Sequence, residues 1–197
     1  SGDAAYESYV SHVRIRGVLR LSLLQNAIRR TVDAHPFLRS AFDLENGRQP
    51  LQVVHPYALA AVKMHDLRDL PAAEADAAIH AWRRKELRRG FAWDRPPLLR
   101  FAVHILAGER FVLHMTDAAL DGWCVATILA QIVQDYDAAL SGRPAPSMPP
   151  GAAYSHFVEL ESRAREAEET VAFWSRRVAA RRPSTLAGTT GQAGNRG

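Results

Sequence analysis

The chain has 197 residues, 47% hydrophobic and 23% charged, a composition typical of a folded globular protein rather than a disordered one. The formal charge of +4 is modest, and the densest basic run, residues 83–89, is best interpreted as a solvated helix face. For that reason we expect no nucleic-acid partner. No apolar run is long enough to span a bilayer, so we expect no membrane partner either. The single cysteine, Cys124, excludes an internal disulfide and a multi-cysteine metal site, and it fits a cytoplasmic location.

Extended segments are indicated where apolar and polar residues alternate between glycine, proline or asparagine signals. Such segments occur at residues 9–15, 38–42, 51–54, 62–66, 99–105 and 110–115. Asn46-Gly47 marks a turn before the third segment. Ala107-Gly108-Glu109 marks a tighter turn before the last segment, so the last two segments are predicted to form a hairpin.

Helices are indicated where apolar residues recur every three or four positions. The first is predicted to begin with Ser22 as its N-cap and to end before Pro36. The second spans residues 71–89, with proline in its first turn and Gly90 beyond its end. The third spans residues 123–140 and buries one apolar face.

The remaining quarter of the chain is predicted as a linker, a helix and a tail. Residues 142–151 contain four prolines, which favours an extended linker. A single surface helix is predicted for residues 154–180, and residues 188–197 hold four glycines, typical of a flexible linker. The order of strands and helices predicts an α/β (α+β sandwich) fold, with a mixed sheet flanked by helices.

The segment from Thr116 to Trp123 joins the last predicted strand to the third helix. Asp117 lies at the end of the strand, and Asp121 and Gly122 follow four and five positions later at the start of the helix. Asp121 is suited to cap that helix, and Gly122 is expected to allow a tight turn where a side chain would block close approach. Trp123, as the first apolar residue of the helix, is expected to lie in the core.

This segment resembles the His-His-x-x-x-Asp-Gly motif of nonribosomal peptide synthetase condensation domains, with Thr116 and Asp117 in place of the two histidines. Residues 35–42 resemble the family's Arg-His-x-x-Leu-Arg-Thr-x-Phe motif, with Ala34 in place of its first arginine. Phe91 with residues 97–100, and the helix ending in Ala172-Phe173-Trp174, are similar to two further family segments.

The resemblance implies a chloramphenicol-acetyltransferase-like half-domain. Residues 1–187 correspond to the N-terminal lobe of a condensation domain, and residues 188–197 to a linker toward a C-terminal lobe. It also implies amide-bond formation between substrates that donor and acceptor peptidyl carrier proteins present on 4'-phosphopantetheine arms. No cofactor is expected to bind the lobe directly, and no metal site is expected.

The resemblance also implies roles for individual residues. Asp117 stands at the position of the catalytic histidine, and Thr116 and Asp121 complete the candidate catalytic motif. Arg39 is expected to form an ion pair with Asp121. His35 is expected to be a packing residue at a helix C-terminus. His114 shares the strand face of Thr116, and two roles are open for it: an imidazole that lines the same cavity, or a hydrogen-bonded structural histidine.

Three functions remain open at this point. An aspartate with a pKa of about 3.9 is a poor proton acceptor at neutral pH, but burial that raises its pKa would make it a useful base. The first function is therefore condensation with an acidic centre. The second is a non-catalytic module that docks carrier proteins. The third is heterocyclization, whose Asp-x-x-x-x-Asp pattern fits less well because Asp117 and Asp121 are separated by three residues and position 116 is threonine.

Overall fold

A computed structural model describes residues 8–44, 50–147 and 154–179. The chain divides into two compact units, residues 1–151 and residues 152–197. Within the described ranges, no helix combines the length and the apolar character needed to cross a membrane.

The centre of the first unit is a four-stranded mixed sheet in the order β1-β6-β5-β4. Its strands are β1 (Tyr9–Arg16), β4 (Val62–Asp66), β5 (Leu99–Leu106) and β6 (Arg110–Asp117). β6 pairs antiparallel with both β1 and β5, and β4 pairs parallel with β5. The short strands β2 (Ser40–Asp43) and β3 (Leu51–Val54) form a separate antiparallel pair. The predicted hairpin of β5 and β6 is confirmed.

Helices α1 (Leu21–Ala34) and α3 (Gly122–Leu140) cover one face of this sheet. Alternate residues of the strands, such as Phe101, Leu113 and Met115, point into this layer and are almost completely buried. A 3-10 helix, Pro36–Arg39, follows α1 where the proline ends it. The core that fixes the end of β6 therefore lies mainly on this face.

Helix α2 (Ala72–Leu87) covers the opposite face with a smaller apolar cluster. Ala75 and Ile79 of the helix pack against Leu106 and Val112 of the sheet. The two faces together give a sheet flanked by helices on both sides, which confirms the predicted fold class.

Two details of the helix predictions are wrong. Ser22 lies inside α1 rather than at its N-cap; the cap position is Arg20, which makes no side-chain capping hydrogen bond. The helix predicted for residues 154–180 is two helices, α4 (Tyr154–Glu166) and α5 (Glu168–Ala179), separated at Ala167. The predicted Asn46-Gly47 turn and the tail at 188–197 lie outside the described residues, as do residues 148–151 of the predicted proline-rich linker.

The second unit consists, in its described part, of α4 and α5. Ion pairs one turn apart, Glu159 with Arg163 and Glu161 with Arg165, stabilise α4 along its charged stretch. In α5 the Phe173 ring contacts the Trp174 ring edge to face.

Candidate functional site

Asp117 is the last residue of β6 and is fully buried, with an exposed fraction of 0%. It pairs with Tyr9 of β1 and Leu99 of β5, so the carboxyl group lies at the end of two ladders of backbone hydrogen bonds. Leu113 and Met115 precede it by four and two residues in the core layer of α1 and α3. Because side chains alternate along a strand, Asp117 is directed toward that same layer.

The carboxyl group of Asp117 is only half satisfied. Its Oδ1 accepts a hydrogen bond of 3.1 Å from the backbone N–H of Leu120. Its Oδ2 is buried and has no hydrogen-bond partner. Burial raises the pKa of Asp117 to about 6, against the opposing effect of hydrogen bonds from the backbone at Leu120 and Ala119. Near neutral pH, this carboxyl group can therefore both hold and release a proton.

Thr116 lies on the other face of the sheet. It is 1% exposed and lines a cavity together with Trp82 and Glu86 of α2. The two neighbouring positions of the motif therefore face different layers, and the structure does not bring Thr116 and Asp117 together around one reacting atom. Asp117 is the member of the pair in the layer of α1 and α3.

Asp121 caps α3, as predicted. Its Oδ1 accepts a 2.7 Å hydrogen bond from the backbone N–H of Cys124, and that bond lowers the pKa of Asp121. The expectation for Gly122 is wrong. A Cβ atom added there would meet nothing within 4 Å, so no close approach requires glycine at this position.

Trp123 and Cys124 lie on the surface, contrary to the expectation that Trp123 lies in the core. The Trp123 side chain is 84% exposed. Cys124 is also exposed, and partial burial together with Asp121 raises the pKa of its thiol. A raised pKa reduces the thiolate fraction, so Cys124 is not an activated nucleophile. The apolar face of α3 begins instead at Val125.

The predicted ion pair between Arg39 and Asp121 is wrong. The ion pairs of the described residues do not include one between these two side chains. The Nη1 of Arg39 instead donates hydrogen bonds to the backbone carbonyls of His55 and Pro56. Arg39 therefore links the end of the 3-10 helix to the segment after β3 by hydrogen bonds, and Asp121 acts as the N-cap of α3.

His35 joins two helices. It is the C-cap residue of α1, and its Nε2 lies 2.7 Å from the Oε1 of Gln131 in α3. The amide oxygen can only accept, so the His35 Nε2–H is the donor. His35 therefore lies at the end of α1, where its packing role is expected, and this hydrogen bond to α3 is an additional interaction.

His114 faces α2 and shares the strand face of Thr116, as the alternation predicts. It is 1% exposed, and neither ring nitrogen has a hydrogen-bond partner, so the expected hydrogen-bonded histidine is wrong. Its ring instead contacts the rings of Trp82, His104 and His12 at centroid distances of 4.8, 4.9 and 5.6 Å. Burial, followed by the nearby His104, lowers the pKa of His114 to about 3.

This aromatic cluster was not found from the sequence. His65 stacks on His104 at 4.6 Å, and burial lowers the pKa of His104 to about 4. The signal was present, because His65, His104 and His114 all fall on the α2 face once the strand register is known. Among the described residues, no group of three or more His, Cys, Asp or Glu side chains is arranged to hold a metal ion.

A cavity of about 620 Å³ lies away from the motif. It lies beside β2 and β3, where Phe42 and Trp93 meet edge to face, and Asp117 is not among its lining residues. In the described lobe, therefore, the Asp117 carboxyl group is enclosed rather than open to this cavity.

Comparison with known sequences identifies one family. The profile of the condensation domain matches residues 4–195. The AMB antimetabolite synthetase AmbE of Pseudomonas aeruginosa is 32% identical over 193 residues, which is 95% of this chain and 9% of that protein. Tyrocidine synthase 3 of Brevibacillus parabrevis is 26% identical over 183 residues, which is 91% of this chain and 3% of that protein. The chain thus spans less than a tenth of the length of either relative.

Solved structures share the fold. The SgcC5 protein from Streptomyces globisporus superposes with a TM-score of 0.76 at 25% identity, over 92% of this chain and 42% of that one. The first condensation domain of the CDA synthetase gives a TM-score of 0.75 at 22% identity, over 90% of this chain and 46% of that one. These likenesses confirm the predicted chloramphenicol-acetyltransferase-like fold, of which this chain spans less than half.

Proposed function

The chain belongs to the condensation-domain family, and on that premise we propose that it is the N-terminal lobe of a domain that forms amide bonds, with Asp117 at the reaction centre. The observation that carries the proposal is the half-satisfied carboxyl group. Asp117 stands at the motif position of the family's catalytic histidine, its Oδ2 has no partner, and its pKa is raised to about 6.

The chemistry requires a group that can accept or orient one proton. The amine nitrogen of the acceptor attacks the carbonyl carbon of the donor thioester, the new C–N bond forms, and the C–S bond breaks to release the thiol. The nitrogen loses one proton in this exchange. A carboxylate with a pKa near 6 can accept or orient that proton near neutral pH, which an aspartate of ordinary pKa does poorly. In this role Oδ2 is the accepting atom, because Oδ1 already binds the Leu120 N–H.

The substrates and partners follow from the family. Donor and acceptor peptidyl carrier proteins would present the two thioesters on 4'-phosphopantetheine arms, and a C-terminal lobe would complete the cleft. The chain spans 42% and 46% of the two solved structures compared above, which supports a second lobe of similar size. We therefore expect the 197-residue chain alone to give no turnover.

A second candidate function is a non-catalytic module that docks carrier proteins. The observation that favours it is the enclosure of Asp117, whose Oδ2 is buried within the lobe. A substrate would need a rearrangement at the end of β6 to reach this atom. Heterocyclization is the weakest reading, because position 116 is a threonine that faces the opposite layer.

The test compares Asp117→Ala and Asp117→His with wild type in the two-lobed domain, with donor and acceptor carrier proteins supplied. Condensation through Asp117 predicts that amide product is lost in Asp117→Ala. Asp33→Asn, an exposed acid on α1, is the matched control and should retain wild-type rates. Product that is unchanged in both Asp117 variants, or absent from all proteins, would favour the docking module. An azoline from a Cys, Ser or Thr acceptor would favour heterocyclization.

A further inference from the structure

A cavity of about 90 Å³ lies between α2 and the sheet, on the face opposite Asp117. Its sheet side is built from small side chains on adjacent strands: Ala61 before β4, Ala102 on β5 and Thr116 on β6. Trp82 of α2 forms part of the wall.

Position 116 controls the size of this cavity. The motif that the segment resembles carries histidine there, and Thr116 is smaller than histidine by most of an imidazole ring. Thr116 is 1% exposed and lines the cavity, so its side chain borders open volume.

The charges around the cavity are unbalanced. Lys63, Arg89 and Arg100 line it together with one acid, Glu86, so three positive charges and one negative charge leave a net charge of +2. Glu86 contacts Arg100 at 2.5 Å and Arg89 at 3.8 Å, so its single charge is shared between the arginines. Lys63 is not paired with it in any ion pair of the described residues.

Arg100 is held rigidly at this cavity. Its Nε donates to Glu86, and its Nη1 and Nη2 donate to the carbonyls of Gly90 and Arg89. The guanidinium also lies 3.8 Å from the centre of the Phe91 ring. Burial and the neighbouring Arg89 lower the pKa of Arg100, against the opposing effect of Glu86. Burial and then the charge of Lys63 lower the pKa of His65 in the same layer, against the opposing effect of Glu86. Glu86 is thus the acid that acts on both sides of the cavity, and the three cations around it outnumber it.

We propose that this cavity binds a small oxyanion between Lys63, Arg89 and Arg100, with dianionic phosphate best matched to the net charge. The ammonium and the guanidinium N–H groups that remain free are strong donors to such an anion, and the Thr116 hydroxyl supplies a further one. This site is separate from Asp117 and does not depend on condensation activity, because the sheet lies between them.

The chain offers a direct test, since Lys63 and Lys85 are its two lysines. Both are exposed, but only Lys63 lines the cavity, so labelling with [ε-13C]lysine gives one signal from the cavity and one control signal from α2. Titration with inorganic phosphate, at constant ionic strength maintained with sodium chloride, should shift the Lys63 signal saturably and leave the Lys85 signal in place. Equal shifts of both signals, or a shift that does not saturate, would show non-specific ion association and overturn the proposal.

Variants give a second readout that does not depend on the label. At phosphate concentrations tenfold above the dissociation constant, we expect the Tm to rise by about 3 °C. Lys63→Gln should remove this rise and Lys85→Gln should keep it. Thr116→His, which fills the cavity with the larger side chain, should also remove it, and Thr116→Val should weaken it. A rise of the same size in all four variants would place the anion elsewhere and overturn the proposal.

Discussion

Replacing Asp117 by asparagine should stabilise the protein at neutral and alkaline pH. Asparagine has nearly the same shape, and its Oδ1 can still accept the hydrogen bond from the Leu120 N–H. What it removes is a negative charge in a fully buried position. In the ionised state that charge has no cation among the ion pairs of the described residues and one oxygen without a partner.

The magnitude follows from the pKa of the carboxyl group. A rise from 3.8 to about 6 corresponds to an upper value of about 3 kcal/mol for ionisation in the folded state. The folded pKa is raised, so the folded chain binds a proton between pH 4 and 6 that the unfolded chain has already lost. Wild-type stability from this group therefore falls as the pH rises through that range. Above about pH 6, the destabilisation by ionised Asp117 has nearly its full value.

The assay is urea unfolding of wild type and Asp117→Asn at several pH values from 4.5 to 8. We expect nearly equal free energies of unfolding at the acid end and a gain of about 2–3 kcal/mol for the variant at pH 8. Asp135→Asn is the matched control, because Asp135 is also buried but is paired with Arg30 at 2.8 Å. Neutralising it removes a favourable interaction, so this variant should lose stability at pH 8.

One result would refute this reasoning. If Asp117→Asn is no more stable than wild type at pH 8, and the difference between the two proteins is flat across the pH range, then Asp117 does not carry an unpaired charge in the fold. The proton-accepting role proposed for it would then lose its physical basis as well.

Three further predictions concern other parts of the first unit. Burial lowers the pKa of His114 to about 3, so as the pH falls below 6.5 the unfolded chain binds a proton that the folded chain does not, and the free energy of unfolding decreases. In urea unfolding between pH 6.5 and 4.5, His114→Phe should reduce this decrease. Gly122→Ala should raise the free energy of unfolding by up to about 1 kcal/mol, whereas Gly17→Ala, at a φ of +131°, should lower it, and thermal unfolding of both variants checks the contrast. Tyr136→Phe removes the acceptor of the Arg20 N–H at 2.9 Å and should cost about 1 kcal/mol in chemical denaturation; no loss would mean that this contact is dispensable.

The strands and helices of the first unit could be predicted because their signals are local. Alternation along β5 and β6 and the Ala107-Gly108-Glu109 turn define the hairpin without reference to the rest of the chain. The same alternation placed His114 and Thr116 on one face. The Asp121 cap was equally accessible, because its hydrogen bond to Cys124 spans only three residues.

The errors arise where the outcome depends on residues far apart in sequence. Trp123 is an exception: it precedes Val125 by two positions, which at about 3.6 residues per turn places it on the side of α3 away from the buried face. The acceptors of Arg39, the carbonyls of His55 and Pro56, lie 16 and 17 residues away in the segment after β3, where no local pattern indicates them. The cavity beside Thr116 depends on α2, whose placement over the sheet no local pattern specifies.

The placement of Thr116 and Asp117 in different layers has a consequence for how such a motif can change. A substitution at position 116 alters the space under α2, and one at position 117 alters the charge beside α1 and α3. The two residues are adjacent in the chain, but their side chains contact different layers. A double-mutant cycle at positions 116 and 117 should therefore measure a coupling energy that passes mainly through their shared backbone.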